Sequence, residues 1–384
     1  MAITKIPISD FLQLYKNNIV LDVRSPSEYA QAHIPNAKSF PLFSDEERKI
    51  VGTAYKQQSK EIAIKIGLDF FGPKMRSFVE SVETMLAKNN YRNETNNQLP
   101  ITNCILVHCW RGGMRSAAVA WLLDLYGFKV YTLVGGYKAY RNWVLQQFNL
   151  PYTFKIIGGY TGSGKTLLLN QLAKQGNSII DLEALANHKG SALGGIGQVA
   201  QPSQEMFENL LVKELTTAQQ ITETQPQELH NATPKLNKPI VNCSLPTAHC
   251  IWLEDESQRI GNLQIPMPLW ITMRSSKLYF FNIPFQKRLN YLVEEYGTLK
   301  KNELVTAIMR IQKKLGGLET KNAINFLLEN NFQESFKILL QYYDKHYLKG
   351  LYNRENAKIL INTIESQELD AKKNIELLKG IFKN

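Results

Sequence analysis

Short apolar runs alternate with amphipathic helical stretches along most of this 384-residue chain. Each run is followed by turn or helix signals, and strands that alternate with helices form parallel α/β sheets. After residue 284 the pattern is helical and rich in lysine. We therefore predict an α/β fold with two parallel-sheet domains and a C-terminal helical region. The runs predicted as strands are 19–24, 104–107, 128–133, 152–157, 178–183 and 251–256.

The domain boundaries are predicted where this pattern changes. We place the first sheet domain at 1–148, the second at 149–283 and a basic helical region at 284–384. Within the second domain, residues 222–248 are polar, contain several prolines and break the alternation of strands and helices. Such a long irregular segment predicts an inserted surface loop.

Charge, cysteine content and the lack of long apolar runs indicate which class of protein this is. The formal net charge of +11 and the pI of about 9.2 favour a polyanionic partner such as RNA. The four cysteines do not form a disulfide framework, and Cys243, His249 and Cys250 lack the paired C-x-x-C spacing of zinc sites. The N-terminus lacks the apolar core of a signal peptide, and no apolar run is long enough to cross a bilayer. We expect a cytoplasmic enzyme without membrane association.

The sequence HCWRGGMRS at 108–116 follows an apolar strand and precedes a strong helix former. Backbone N–H groups at such a turn point inward, and the helix N-terminus adds positive potential, so both favour a thiolate. A lone cysteine would more often be an inert core residue. Here the glycines, Arg111 and Arg115 favour a nucleophilic Cys109 beside a bound oxyanion, with His108 in a structural role. We call residues 109–115 the cysteine loop.

A second anion site is predicted at 159–166, where GYTGSGKT follows a predicted strand and opens a helix. This G-x-x-x-x-G-K-T pattern brings backbone N–H groups, a lysine and a threonine to a phosphate chain and its magnesium ion. The motif indicates a diphosphate without identifying what carries it. We call 159–166 the phosphate loop; its predicted ligands are Gly159, Gly162, Ser163, Gly164, Lys165 and Thr166.

Carboxylates stand at the ends of the next two predicted strands. Asp181, Glu254 and Asp255 are therefore candidates to position a metal ion or a water molecule. Solvated carboxylates at strand ends explain the same pattern equally well. We expect no tightly bound cofactor, and Mg²⁺ is the one candidate ion.

The C-terminal helices carry lysine and arginine together with tyrosine. Arg288, Arg310, Lys313 and Lys314 are candidates to contact tRNA phosphates, with tyrosines available for stacking. The same cations could equally be the solvated face of a helical bundle.

Several segments of the first domain resemble a rhodanese domain. They are DVRSPSEY at 22–29, HIPNA at 33–37, the cysteine loop and VGGY at 134–137. The common pattern has glycine at the positions of Ala32 and Asn36, and its last arginine comes one residue sooner. The spacing His-Cys-x5-Arg also resembles Cdc25-type phosphatases, so a phosphatase stays open. Asp22 and Arg24 are predicted to form a structural ion pair.

The two signatures together resemble the tRNA 2-selenouridine synthase family. Further matching segments are DLEALANHKGS, QPSQEMFEN and WLEDESQRIG, which begin at residues 181, 201 and 252. Lys189 stands where the family pattern has arginine, which keeps the charge but loses bidentate phosphate contact.

The resemblance implies a transferase that converts 2-thiouridine at the tRNA wobble position to 2-selenouridine. It implies S-geranylation from geranyl diphosphate, then selenation from selenophosphate, which an enzyme that makes selenophosphate would supply. Three alternatives remain: an ATP-dependent tRNA sulfurtransferase or kinase-like enzyme, a phosphatase, and an RNA-binding scaffold.

Overall fold

The computed structural model describes residues 3–95, 104–223 and 250–383, and it divides into two units, Met1–Gln147 and Phe148–Asn384. The first unit contains β1 Thr4–Ile6, α1 Ile8–Tyr15, β2 Ile19–Asp22, α2 Pro26–Gln31, β3 Lys38–Ser39, α3 Asp45–Gln57, α4 Lys60–Phe71, a 3-10 turn Gly72–Lys74, α5 Met75–Thr95, β4 Cys104–His108, α6 Met114–Tyr126, β5 Lys129–Leu133 and α7 Gly136–Gln147.

The first unit is built on a five-stranded parallel sheet in the order β1-β5-β4-β2-β3. Every residue of β2 and β4 is buried, as expected for strands covered on both faces. Because β4 is central, its carboxyl end delivers the cysteine loop to an edge of the sheet where ligands bind in open α/β folds. Helices α3 and α4 pack against each other and form the segment between β3 and α5.

The second unit contains β6 Phe154–Gly159, α8 Lys165–Lys174, β7 Ile179–Ile180, α9 Leu182–Ala186, α10 Gln204–Glu223, β8 Ile251–Glu254, β9 Arg259–Ile260, β10 Leu263–Gln264, α11 Met267–Arg274, β11 Lys277–Asn282, α12 Phe285–Tyr296, α13 Lys301–Arg310, α14 Gln312–Leu315, α15 Gly317–Leu328, α16 Phe332–Tyr352, α17 Ala357–Leu360, β12 Ile361–Glu365 and α18 Ala371–Lys383.

A second five-stranded parallel sheet has the order β12-β11-β6-β8-β7, and β9 and β10 form a small antiparallel pair. The predicted α/β fold class with a helical C-terminal region is confirmed. One feature of that region differs from the prediction: β12 pairs with β11, and α18 packs on α8. Residues 361–383 therefore complete the second sheet and its helical cover, whereas α12, α13, α15 and α16 pack mainly on one another.

Two further predictions concern the polar insertion at 222–248 and membrane-spanning segments. Most of the predicted insertion, with Cys243 and His249, lies outside the described residues, and its first two residues belong to α10. Among the helices that the structure describes, none combines the length and the apolar character that a bilayer-crossing segment needs.

Candidate functional site

Cys109 lies directly after β4 and beneath the N-terminus of α6. Its side chain is buried, with the residue only 3% exposed, yet it lines a cavity of about 760 Å³, which we call the cysteine cavity. The Gly113 N–H donates to Cys109 Sγ at 3.2 Å, and Ser116 Oγ lies 3.2 Å from the same sulfur. The sulfur therefore sits where the amides and dipole of α6 favour negative charge.

Glycines allow the cysteine loop to lie on the turn before α7. Gly112 has φ of +68°, and a Cβ on Gly136 would lie 2.3 Å from the Cys109 carbonyl oxygen. That carbonyl accepts the Tyr137 N–H at 2.8 Å, and the Trp110 carbonyl accepts the Lys138 N–H at 3.0 Å. Larger residues at these glycines would displace the cysteine loop, so the conformation of the loop depends on the glycines of the VGGY segment as well as on its own.

The two arginines of the cysteine loop differ in their contacts. Arg115 was predicted to bind the oxyanion, but its Nη1 donates to Glu28 Oε2 at 2.6 Å, so this guanidinium already has a carboxylate partner. Burial alone would raise the pKa of Glu28, but Arg115 and further hydrogen bonds outweigh it and lower that pKa to about 2. Arg111 is exposed and lines the cavity, and it forms no ion pair with any described residue. Arg111 is therefore the loop arginine available to an anion.

The structural roles predicted around β2 are confirmed. Arg24 Nη2 donates to Asp22 Oδ2 at 2.6 Å and to the Ala32 carbonyl at 2.7 Å, and both charged residues are buried. His108 is also buried, and burial lowers its pKa, so this imidazole is neutral at pH 7. The His108 ring lies beside the ion pair, with its Nε2 3.8 Å from Asp22 Oδ2.

The phosphate loop connects β6 to α8 and lines a second cavity, of about 770 Å³, which we call the phosphate cavity. Gly162 and Gly164 adopt φ of +76° and +72°, and a Cβ on Gly159 would lie 2.4 Å from Ser163 Oγ. Lys165 Nζ donates to the Gly159 carbonyl at 3.1 Å, across the loop. This geometry fits the predicted diphosphate site because the backbone leaves room for an anion beside a lysine and a helix N-terminus.

Tyr347 on α16 and Arg354 just after it belong to a hydrogen-bonded layer behind the phosphate loop, and sequence reasoning missed this layer. The Gly159 N–H donates to the Tyr347 hydroxyl at 3.1 Å, and that hydroxyl donates to Asp255 Oδ2 at 2.7 Å. Asp255 also forms an ion pair with the buried Arg354. The predicted role of Asp255 at a metal is therefore corrected: its carboxylate is held by Tyr347 and Arg354.

Glu254 lies among different neighbours from Asp255. Successive side chains at a strand end point to opposite sides, so Glu254 and Glu256 share one side. Oxygens of Glu183, Glu254 and Glu256 lie within 4.8 Å of one another, and we call these residues the carboxylate cluster. Asp181, by contrast, accepts the Ala184 N–H at 2.8 Å and caps α9, so it is a capping residue that also lines the cavity. The alternation of side chains along LEDE at 253–256 could have predicted that Glu256 lies on the same side as Glu254. Nothing in the sequence near Glu183 predicts that it joins them.

The carboxylate cluster fits a divalent cation. Both oxygens of the buried Glu254 lack a hydrogen-bond donor among the described residues. Burial and the neighbouring Glu183 raise the pKa of Glu254 to about 8, and burial raises the pKa of Glu183 to about 7. Mg²⁺ prefers carboxylate oxygens and water, and when bound beside a phosphate loop it neutralises phosphate charge. Glu183, Glu254 and Glu256 would hold it.

The raised pKa of Glu254 predicts a pH-dependent stability. Between pH 4.5 and about 8 the folded protein keeps a proton that the unfolded chain releases, so the free energy of unfolding falls as pH rises. The free energy of unfolding of the wild type should therefore fall by about 1.4 kcal/mol per pH unit in this window, compared with that of Glu254→Gln, which lacks this ionisation. Millimolar Mg²⁺ should remove most of that loss, because a cation stabilises the ionised carboxylates. Urea unfolding of both proteins from pH 5 to 8, with and without Mg²⁺, measures this pH dependence. The assignment of the carboxylate cluster as a cation site would be contradicted if both proteins lost stability equally with pH, or if Mg²⁺ left the pH dependence of the wild type unchanged.

The residues predicted to contact tRNA have different environments. Arg288 is only 3% exposed, forms an ion pair with Asp344 at 2.8 Å and donates to the Thr161 carbonyl at 3.2 Å. It therefore supports the phosphate loop, and its predicted contact with tRNA is wrong because its guanidinium is already bound. Arg310, Lys313 and Lys314 are exposed, and their contact with tRNA stays a prediction.

The loop around Lys189 borders the phosphate cavity. Lys189 forms an ion pair with Glu295 on α12, while Gly190 and Ser191 line the cavity. Lys189, which stands where the family pattern has arginine, is thus already paired with a carboxylate of α12.

Comparisons with known proteins agree with both halves of this description. Residues 152–371 match the family model of the tRNA 2-selenouridine synthase AAA domain, and residues 9–142 match the rhodanese-like domain. A tRNA 2-selenouridine synthase of Bdellovibrio bacteriovorus is 30% identical over 92% of this chain and 94% of its own length. One from Sulfurovum sp. is 30% identical over 94% of this chain and 96% of its own.

A third relative, from Hydrogenovibrio crunogenus, bears the same description and is 33% identical over 80% of this chain and 79% of its own length. The matches span both the rhodanese-like unit with its cysteine loop and the unit with its phosphate loop. The chain therefore belongs to the tRNA 2-selenouridine synthase family, a family of tRNA-modifying enzymes.

Proposed function

We propose that this enzyme converts 2-thiouridine at the tRNA wobble position to 2-selenouridine in two steps. The phosphate loop binds geranyl diphosphate for S-geranylation, and the cysteine loop serves the selenation that follows, with selenophosphate as donor. One observation carries this division: each unit has its own cavity at its own anion loop, and only the first has a thiol in that loop.

The lining of the phosphate cavity supports a prenyl diphosphate. The phosphate loop forms one part of the wall, and apolar side chains of α12 and α16 form another, among them Leu292, Phe336 and Leu339. A diphosphate with a hydrocarbon tail matches both chemistries, whereas a nucleotide would bring a polar ribose to the apolar wall. This composition favours the geranyl donor over the ATP-dependent sulfurtransferase.

In the first step the thiocarbonyl sulfur of the base attacks C1 of the geranyl group. The C–O bond breaks, diphosphate leaves with the electron pair, and the proton on N3 of the base is lost to solvent. Lys165 and the loop N–H groups offset the charge on the leaving diphosphate. Bound Mg²⁺ would add positive charge at the same group.

In the second step Cys109 acts as the nucleophile. Its thiolate bonds to C2 of the base, and geranyl thiolate leaves and takes a proton from water. The selenium of selenophosphate then bonds to C2 and releases Cys109, and water hydrolyses the P–Se bond to give phosphate. The Gly113 N–H at Sγ stabilises the thiolate, and Arg111 is free to bind phosphate oxygens.

The contacts of Arg115 disfavour the phosphatase alternative. A phosphatase of the His-Cys-x5-Arg type needs its final arginine on the phosphoryl group, but here Glu28 holds that guanidinium. In the proposed selenation Arg111 and the loop N–H groups bind the phosphoryl oxygens of selenophosphate, so Arg115 can stay on Glu28.

Calorimetric titration of the full chain tests the donor assignment. We expect geranyl diphosphate with Mg²⁺ to bind at least about tenfold more tightly than ATP, since its tail adds apolar burial to the same diphosphate contacts. Tighter binding of ATP would favour the sulfurtransferase and contradict the proposal.

A further inference from the structure

The cysteine cavity has an apolar wall that an anion loop alone does not need. Opposite the loop, α3 and α4 line it with carbon-rich side chains, including Val51, Ile64, Leu68 and Phe71. Its volume of about 760 Å³ lies within the usual range of small-molecule sites, roughly 300–1,000 Å³. An anion such as selenophosphate would use only the loop side of this space.

Exposed apolar side chains gather at the same cavity. Tyr55, Ile64, Leu68 and Met114 are all cavity-lining residues, and they are between 39% and 59% exposed. Small residues keep the space between these side chains open. A Cβ added to Gly52 on α3 would meet no neighbouring described atom within 4 Å, and the α4 residue Ala63, which also lines the cavity, has only a methyl side chain. Contiguous exposed apolar surface around a cavity marks a binding site for an apolar group.

Cations surround this apolar surface. Lys49 and Lys56 on α3 and Arg111 in the cysteine loop line the cavity and form no ion pair with any residue that the structure describes. Arg48 and Arg115 also line it and share Glu28. An apolar site with basic residues around it suits a hydrocarbon substituent on a polyanionic strand, because the strand's phosphates meet the cations while the substituent leaves water.

We propose that the cysteine cavity binds the hydrocarbon chain of the S-prenylated nucleoside while its C2 atom lies at Cys109. This inference rests on the proposed function, which makes such a nucleoside the substrate of the second step. It adds a specificity determinant: α3 and α4 select tRNA that already carries the prenyl group. A 2-thiouridine without the chain would leave the cavity wet and bind less well, so the cavity enforces the order of the two steps.

Binding of two matched RNAs tests the cavity. Anticodon stem-loops that carry either S-geranyl-2-thiouridine or 2-thiouridine are titrated into the full-length wild type and into Leu68→Glu, by fluorescence anisotropy. Burial changes Kd roughly tenfold for every two methylene-sized groups that leave water, so we expect the wild type to prefer the geranylated RNA by at least about tenfold. Leu68→Glu should reduce this preference to about twofold or less, because a carboxylate would face the chain.

Two further variants separate the cavity from general effects. Leu68→Met keeps the apolar wall and should keep the preference, and Leu125→Glu places the same charge on an exposed leucine of α6 outside the cavity and should behave like the wild type. An unchanged preference in Leu68→Glu, while the wild type still converts geranylated RNA to 2-selenouridine, would overturn this inference alone. A wild type that cannot convert geranylated RNA would overturn the proposed function, and the inference with it.

Discussion

Cys109→Ser is expected to abolish selenation and to leave S-geranylation intact. A serine hydroxyl is a far weaker nucleophile than a thiolate at neutral pH, so formation of 2-selenouridine should fall by about 1,000-fold or more. Geranylation relies on the phosphate loop, which belongs to the other unit, and should stay within about twofold of the wild type. Mass spectrometry of nucleosides from the treated tRNA should therefore find S-geranyl-2-thiouridine accumulating.

The matched control for this variant is Cys250→Ser. It replaces a half-buried cysteine of the second unit that lies outside the cysteine loop, and it should leave both steps unchanged. If Cys109→Ser is still folded by circular dichroism but loses geranylation and selenation equally, the proposal that Cys109 serves only the selenation step is contradicted.

Lys165→Ala is expected to have the opposite effect. Lys165 lines the phosphate cavity at the N-terminus of α8, and its loss leaves the charge of the departing diphosphate less well neutralised. Geranylation should slow by about 100-fold or more, as removal of one such stabilising group usually does. The rate of geranyl transfer to 2-thiouridine RNA at saturating geranyl diphosphate measures this effect.

The control for Lys165→Ala lies on the same helix. Lys174→Ala removes an exposed lysine at the opposite, C-terminal end of α8, and this variant should transfer the geranyl group at the wild-type rate. Geranylation that survives Lys165→Ala within a few fold would show that the phosphate loop serves another substrate.

Local signals in the sequence predicted the parts of the site that lie within a few residues of one another. Both loops follow an apolar strand and open a helix, and such strand–loop–helix signals need no long-range information. The Asp22–Arg24 pair was also predictable because its members are two residues apart on one strand end. Asn36, which replaces the glycine of the common rhodanese pattern, adopts φ of +65°, a conformation that asparagine tolerates better than most residues.

The missed features depend on pairing between distant segments. Ile361–Glu365 lies in a helix-rich stretch, and it becomes a strand because β11 offers it a parallel partner. The burial of Arg288 follows from Asp344, 56 residues away, so its sequence neighbourhood suggested only another exposed cation. The predicted strand at 178–183 ends after Ile180 because Asp181 caps a helix instead.

The apolar wall of the cysteine cavity could not be inferred from the sequence for a related reason. The sequence shows which residues of α3 and α4 are apolar, but only the packing of these helices beside the cysteine loop determines which of the side chains line a cavity. The same holds for the carboxylate cluster, because Glu183 reaches Glu254 only through the pairing of β7 with β8.

The central claim is that two anion loops act at successive steps on one base, and supplying the intermediate tests it most directly. A stem-loop that already carries S-geranyl-2-thiouridine is incubated with selenophosphate and either Lys165→Ala or Cys109→Ser, and 2-selenouridine is quantified by mass spectrometry. We predict that Lys165→Ala converts this RNA at close to the wild-type rate and that Cys109→Ser does not convert it. Failure of both variants, or conversion by both, would contradict the claim.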